Sequence, residues 1–111
     1  MGSVNIKKEE IKTNGIRFSI EDKKEIAHAY LYIIKNDLHE RPYGLIEDVF
    51  VDESFRGKGY ATELLKELIE EAKKLGCYKL IATSRRSRQY VHKLYRKLGF
   101  EDYGIEFRMN F

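Results

Sequence analysis

The stretch FRGKGYATELL, Phe55 to Leu65, sets two glycines, an arginine and a lysine within four positions and runs directly into a leucine repeat. A bare backbone and two cations at the mouth of a helix suit an anion. The first four N–H groups of a helix lack partners and the helix dipole adds partial positive charge there, so phosphates bind readily. Gly57 and Gly59 would let such a ligand approach the main chain closely. The helix itself is strongly marked. Ala61, Leu64, Leu65, Leu68, Ile69, Ala72 and Leu75 recur at helical spacing from Lys58 to Leu75, and Gly76 stands where a C-terminal glycine ends a helix.

Outward from that helix the chain reads as strands and one more helix. VNIKKEEI and GIRFSIED are short and partly alternating, with TNG between them as a turn. EIAHAYLYII has strand composition, although Ile26, Ala29, Tyr30, Ile33 and Ile34 would also share a helical face. HERPYG breaks the chain before a fourth strand, LIEDVFVDE. YKLIATS reads as a fifth strand. Ser87 is placed to cap a second helix bearing Tyr90, Val91, Leu94, Tyr95 and Leu98, stopped at Gly99, and YGIEFRMNF closes as a last strand.

With 111 residues, 42% of them apolar and 13% aromatic, one globular domain over residues 1–111 is expected. The apolar runs fall short of a membrane span, and MGSVNIKKEE has no apolar leader region, so the chain reads as cytoplasmic. Cys77 is alone, which excludes a disulfide framework or a zinc cluster and suits a small buried apolar residue. The net charge of +3 hides an asymmetry: residues 56–111 hold 13 Lys and Arg against 7 Asp and Glu. Such a basic half can meet nucleic acid or a polyphosphate ligand, and it can equally be a solvated helix face.

Strand, glycine loop, helix, strand is a phosphate-binding order, and two familiar versions fail. A P-loop requires Gly-Lys-Ser/Thr, whereas Lys58 is followed by Gly59. The dinucleotide fingerprint requires a third Gly or Ala at the position of Thr62, and no acidic ribose partner ends a following strand. A third version fits. VDESFRGKGYATELL resembles the acetyl-CoA motif of the GNAT acetyltransferase superfamily, Q/R-x-x-G-x-G/A, here Arg56 to Ala61, and HKLYRKLGF resembles its second signature, a helix ending in Tyr-x-x-x-Gly-Phe. Within it, IEDV, RGKG and GCYK are similar to the glucosamine 6-phosphate N-acetyltransferases.

The resemblance implies an α/β (α+β) acyltransferase fold, a mixed central sheet of about six strands with two main helices. It implies that the backbone of Arg56, Gly57, Lys58, Gly59, Tyr60, Ala61 and Thr62 holds the coenzyme pyrophosphate of acetyl-CoA. Val49, Phe50 and Val51 would offer main-chain groups to pantetheine and one N–H to the thioester carbonyl, although an ordinary buried strand would carry the same side chains. Tyr95 occupies the position of the acid that protonates the departing thiolate. Its spacing with Val91, Leu94 and Leu98 is also that of a core residue.

For the base, Glu47 and Asp48 adjoin, so simple alternation sends them to opposite faces of the sheet. At most one of them then faces the acceptor, and Glu47 is the choice; alternation groups it with Val49 and Val51, a bulge, common in the family, would exchange the faces, and a water chain could replace either acid. The family often has Asn where this chain has Arg88, inside the basic loop SRRSRQ, which could meet coenzyme or acceptor phosphate. KTNGI leaves room only for a turn where the family inserts one or two helices. The acceptor site should therefore be open or completed by another subunit, as in a homodimer.

The expected partners are acetyl-CoA and a small-molecule amine or peptide, with no metal, because His28, His39 and His92 lack ligand spacing. They read as structural or surface histidines. A nucleic-acid module built on RRSRQYVHKLYRK and a CoA-binding sensor without catalysis are the rival readings.

Overall fold

The computed structural model describes residue 2 and residues 4–111; Met1 and Ser3, part of the stretch read above for a leader, lie outside the described residues. The elements run β1 (Asn14–Asp22), β2 (Lys24–Ile34), β3 (Tyr43–Val51), a 3-10 turn (Glu53–Phe55), α1 (Tyr60–Lys74), β4 (Leu80–Ala82) and α2 (Gln89–Lys97). One mixed sheet has the order β1-β2-β3-β4, antiparallel in its first two pairings and parallel between β3 and β4. α1 is the crossover that the parallel pair requires.

One face of this sheet carries the core. Ala27, Ala29 and Leu31 of β2 and Ile46 of β3 are buried with Leu64, Leu65, Leu68 and Ala72 of α1. Burial at 27, 29 and 31 has a period of two, which decides the strand form of EIAHAYLYII over the helix that its apolar spacing also allowed. Leu94, Tyr95 and Leu98 of α2, with Phe100 beyond it, pack against the same cluster. Gly76 (φ 79°) and Gly99 (φ 103°) follow the two helices in the left-handed conformation, as the sequence indicated. The opposite face bears Arg17, His28, Tyr30, Tyr32 and Phe50 and carries no helix among the described residues.

Three expectations are corrected. The sheet has four strands, not about six. VNIKKEEI and YGIEFRMNF are exposed and without regular structure, because alternation marks a strand only where a neighbouring strand satisfies its backbone. Ser87 does not cap α2. The Arg88 N–H bonds to the Arg85 carbonyl at 3.0 Å, and this turn makes Arg88 the N-cap, with no side-chain cap bond.

Candidate active site

β3 passes through the 3-10 turn into the glycine loop. Asp52 opens the turn. It pairs with Lys24 at 3.0 Å and accepts the Ser54 N–H at 3.1 Å, and these two contacts, Lys24 foremost, hold its carboxyl below the ordinary range. Gly57 (φ 76°) and Gly59 (φ 87°), the N-cap of α1, are both left-handed, the conformation that favours glycine. A Cβ at either would meet nothing within 4 Å, so the loop faces open space.

The first bond of α1 runs from the Glu63 N–H to the Gly59 carbonyl at 3.1 Å. The N–H groups of Tyr60, Ala61 and Thr62 therefore stand at the open end of the helix. Arg56 Nε donates to the Val51 carbonyl at 2.9 Å with its guanidinium 5.8 Å from the Phe50 ring centre, and Lys58 Nζ lies 5.5 Å from that of Phe55. Aromatic rings hold both cations; among the described residues neither has a carboxylate partner.

The cleft beside the loop comes from an unequal pairing. β4 pairs with β3 only along Gly44, Leu45 and Ile46, while β3 continues to Val51 with β2 alone. From Glu47 onward one backbone edge of β3 is therefore free of a strand partner. Here Tyr30 lies opposite Glu47 and His28 opposite Phe50, so β3 spends one extra residue: a bulge, with Asp48 at φ 49°.

The bulge changes which residues share a face. Val49 and Val51 turn to the core with Ile46, while Glu47 stays beside Tyr30 on the uncovered face, apart from the valines with which simple alternation grouped it. Asp48 is not sent to the face opposite Glu47 either, because its carboxylate reaches His28 Nε2 at 2.9 Å on the uncovered side. Both acids thus end on one face.

Tyr95 is half-buried and packs edge-on against Phe100 at 5.3 Å, so the core spacing seen in the sequence is real. Burial pushes its phenol up; the charge of Arg88 opposes this and that of Glu47 adds to it. Arg88, at the start of α2, and Glu47, beside the bulge of β3, are thus each brought within electrostatic reach of Tyr95. Arg88 also donates to the Tyr90 hydroxyl at 2.9 Å. Cys77 is half-buried and burial raises its thiol. Among the described residues no group of three or more His, Cys, Asp and Glu side chains is placed to hold a metal ion.

His28 is the residue that sequence reasoning missed. Its Nδ1 meets Glu25 at 3.1 Å and its Nε2 meets Asp48, while its ring stacks on Phe50 at 5.4 Å. Arg17 grips Glu25 with two bonds, of 2.5 and 3.0 Å, and also donates to the Tyr30 hydroxyl at 3.0 Å. Glu25 and His28 are three residues apart and would face opposite ways on a regular strand. A second bulge, with Ile26 as the extra residue of β2 against β1, brings them to the same side. No local pattern in the sequence signals either bulge.

An open glycine loop at the start of a helix thus lies beside a strand that parts from its parallel neighbour. Residues 5–100 match the model of the acetyltransferase (GNAT) family, and the protein belongs to that family. It is 39% identical over 70 residues to a glucosamine 6-phosphate N-acetyltransferase of Trypanosoma brucei brucei, covering 63% of this chain and 46% of the relative. To glucosamine 6-phosphate N-acetyltransferase 1 of Oryza sativa subsp. japonica it is 32% identical over 68 residues, 61% of this chain and 39% of the relative. The chain therefore spans less than half the length of these curated relatives. The crystal structure of glucosamine-6-phosphate N-acetyltransferase from Arabidopsis thaliana superposes with a TM-score of 0.78 at 30% identity, covering 87% of this chain and 67% of that one.

Proposed function

We propose that residues 1–111 form a single N-acetyltransferase domain that moves the acetyl group of acetyl-CoA to a primary amine by direct attack in a ternary complex. The observation that carries this is the joining of the open loop at Gly57 and Gly59 to the unpaired edge of β3. In this reading the N–H groups from Arg56 to Thr62 hold the pyrophosphate. The free backbone edge at Val49, Phe50 and Val51 holds the pantetheine arm and offers an N–H to the developing oxyanion. Arg88 meets a phosphate of coenzyme or acceptor.

The amine approaches from the uncovered face, where Glu47 takes its proton directly or through water as nitrogen bonds to the thioester carbon. The carbon–sulfur bond then breaks, and the Tyr95 hydroxyl gives its proton to the leaving sulfur. Products are the acetamide and CoA thiol, and solvent restores both groups. Asp48, engaged by His28, shapes the strand. Glucosamine 6-phosphate is the first acceptor to test because relatives carry that name. Thiol release from acetyl-CoA with glucosamine 6-phosphate, polyamines, amino acids or peptides tests the proposal; coenzyme binding without turnover on any of them would favour a sensor.

Completion by a second copy belongs to the same reading. Tyr103, Ile105, Phe107, Met109 and Phe111 alternate and are each at least 69% exposed. The radius of gyration is 17.0 Å, against about 13 Å for a compact domain of this size. An alternating apolar segment standing clear of its own core suits an extra strand in a homodimer. Light scattering of the whole chain and of one ending at Asp102 checks this: a dimer that becomes a monomer on truncation is expected. The reading also places the enzyme in the cytoplasm, which cell fractionation checks.

A further inference from the structure

We propose that His28 is a positioning residue for the cleft: its ring, bonded to Glu25 on one side and Asp48 on the other, clamps the left-handed bulge of β3 and thereby fixes which residues of that strand face the acceptor. The inference rests on the acetyltransferase reading only for what the cleft binds; the clamp stands on the geometry of β1, β2 and β3.

Asp48 carries a Cβ at φ 49°, a conformation that persists where its surroundings over-determine it. Among the described residues the one side chain bonded to its carboxylate is His28, at 2.9 Å, itself only 15% exposed. Both partners of the ring are carboxylates. Nδ1 meets the Glu25 carboxylate and Nε2 that of Asp48, so both polar atoms of the ring are engaged. Glu25 is braced in turn by the two bonds from Arg17, which is also tied to Tyr30. The groups around the ring are Glu25 and Tyr30 of β2, Ser19 opposite on β1, and Asp48 and Phe50 of β3, with Arg56 beyond Phe50.

The clamp matters because strand phase is all-or-none. A slip of one residue sends each later side chain of the strand to the other face. Loss of the bulge would turn Val49 and Val51 out of the core and swing Phe50, on which Arg56 rests, into it. The loop and the free edge of β3 would then lose their shared geometry.

Glycine adopts positive φ without help, so a glycine at 48 should make the clamp dispensable. The test compares His28→Leu with the double variant His28→Leu/Asp48→Gly, reading amide hydrogen exchange over residues 47–51 and acetyl-CoA affinity by calorimetry. The single variant is expected to speed exchange at Val49, Phe50 and Val51 and to weaken binding roughly tenfold. The double variant should return both to within about twofold of the parent. If His28 served only to pack on Phe50, the melting temperature would fall and the glycine would restore nothing. That outcome, or unchanged exchange over 47–51 in His28→Leu, overturns the proposal. Should the parent chain not bind acetyl-CoA, the acetyltransferase reading falls while hydrogen exchange still decides the clamp. If His28→Leu does not fold, His28→Gln with and without Asp48→Gly decides by the same two readouts.

Discussion

Gly44 of β3 sits across from Leu80 of β4, so near that a Cβ at residue 44 would collide with the Cδ2 of Leu80 and the Cδ1 of Leu31. This is the tight end of the parallel pair, three residues before β3 and β4 part. Leu31 is fully buried and has no free space to move into, whereas Leu80 is only partly buried. Gly44→Ala should cost about 1–3 kcal/mol by overpacking, seen as a lower denaturant midpoint. Unchanged stability would mean that the strands are not pinned there.

Tyr95→Phe separates packing from chemistry at the ring beside Phe100. Removing one oxygen should change stability by at most about 1 kcal/mol. If the hydroxyl protonates the leaving sulfur, kcat should fall by roughly 10²–10⁴ while acetyl-CoA affinity and melting temperature stay near parental values. Near-parental kcat would leave Tyr95 as core alone.

Gly59→Asp places a carboxylate at the N-cap of α1, where Gly59 is left-handed and its surroundings are open. Aspartate tolerates that backbone better than most residues and can cap a helix, so α1 should form. The added negative charge should nonetheless weaken acetyl-CoA binding by roughly tenfold or more through repulsion of the pyrophosphate. Calorimetry showing equal affinity would remove the loop from the binding site.

Glu25 supplies a pH dependence of defined sign. Its carboxyl is lowered from 4.5 to about 2, first by the hydrogen bond from Arg17 and then by that from His28. A depressed folded-state value adds stability above about 4.5 that is lost as the pH falls from there toward 2. Urea midpoints measured across that range should fall with acid, and Glu25→Gln should flatten the slope. Because the pair is partly exposed, 1 M salt should shrink the effect.

Short-range chemistry governs the part of this protein that its sequence specifies unaided. The period of Leu64, Leu65, Leu68 and Ala72 sufficed to place α1, and Gly57, Gly59, Gly76 and Gly99 were recognisable because no other residue adopts positive φ so readily. The phosphate-loop order and the family were therefore legible from a few dozen residues. Features that depend on partners far along the chain were settled only by the folded structure. VNIKKEEI and YGIEFRMNF have the composition of strands but no neighbour to bond to, so they are not strands here. The extra residues in β2 and β3 exist only as mismatches between paired strands, and each reverses the face of the residues beyond it. Hence the joining of Glu25, His28 and Asp48, and the turning of Glu47 away from Val49 and Val51, could not be read from alternation: register is a relation between two strands, and neither one encodes it alone.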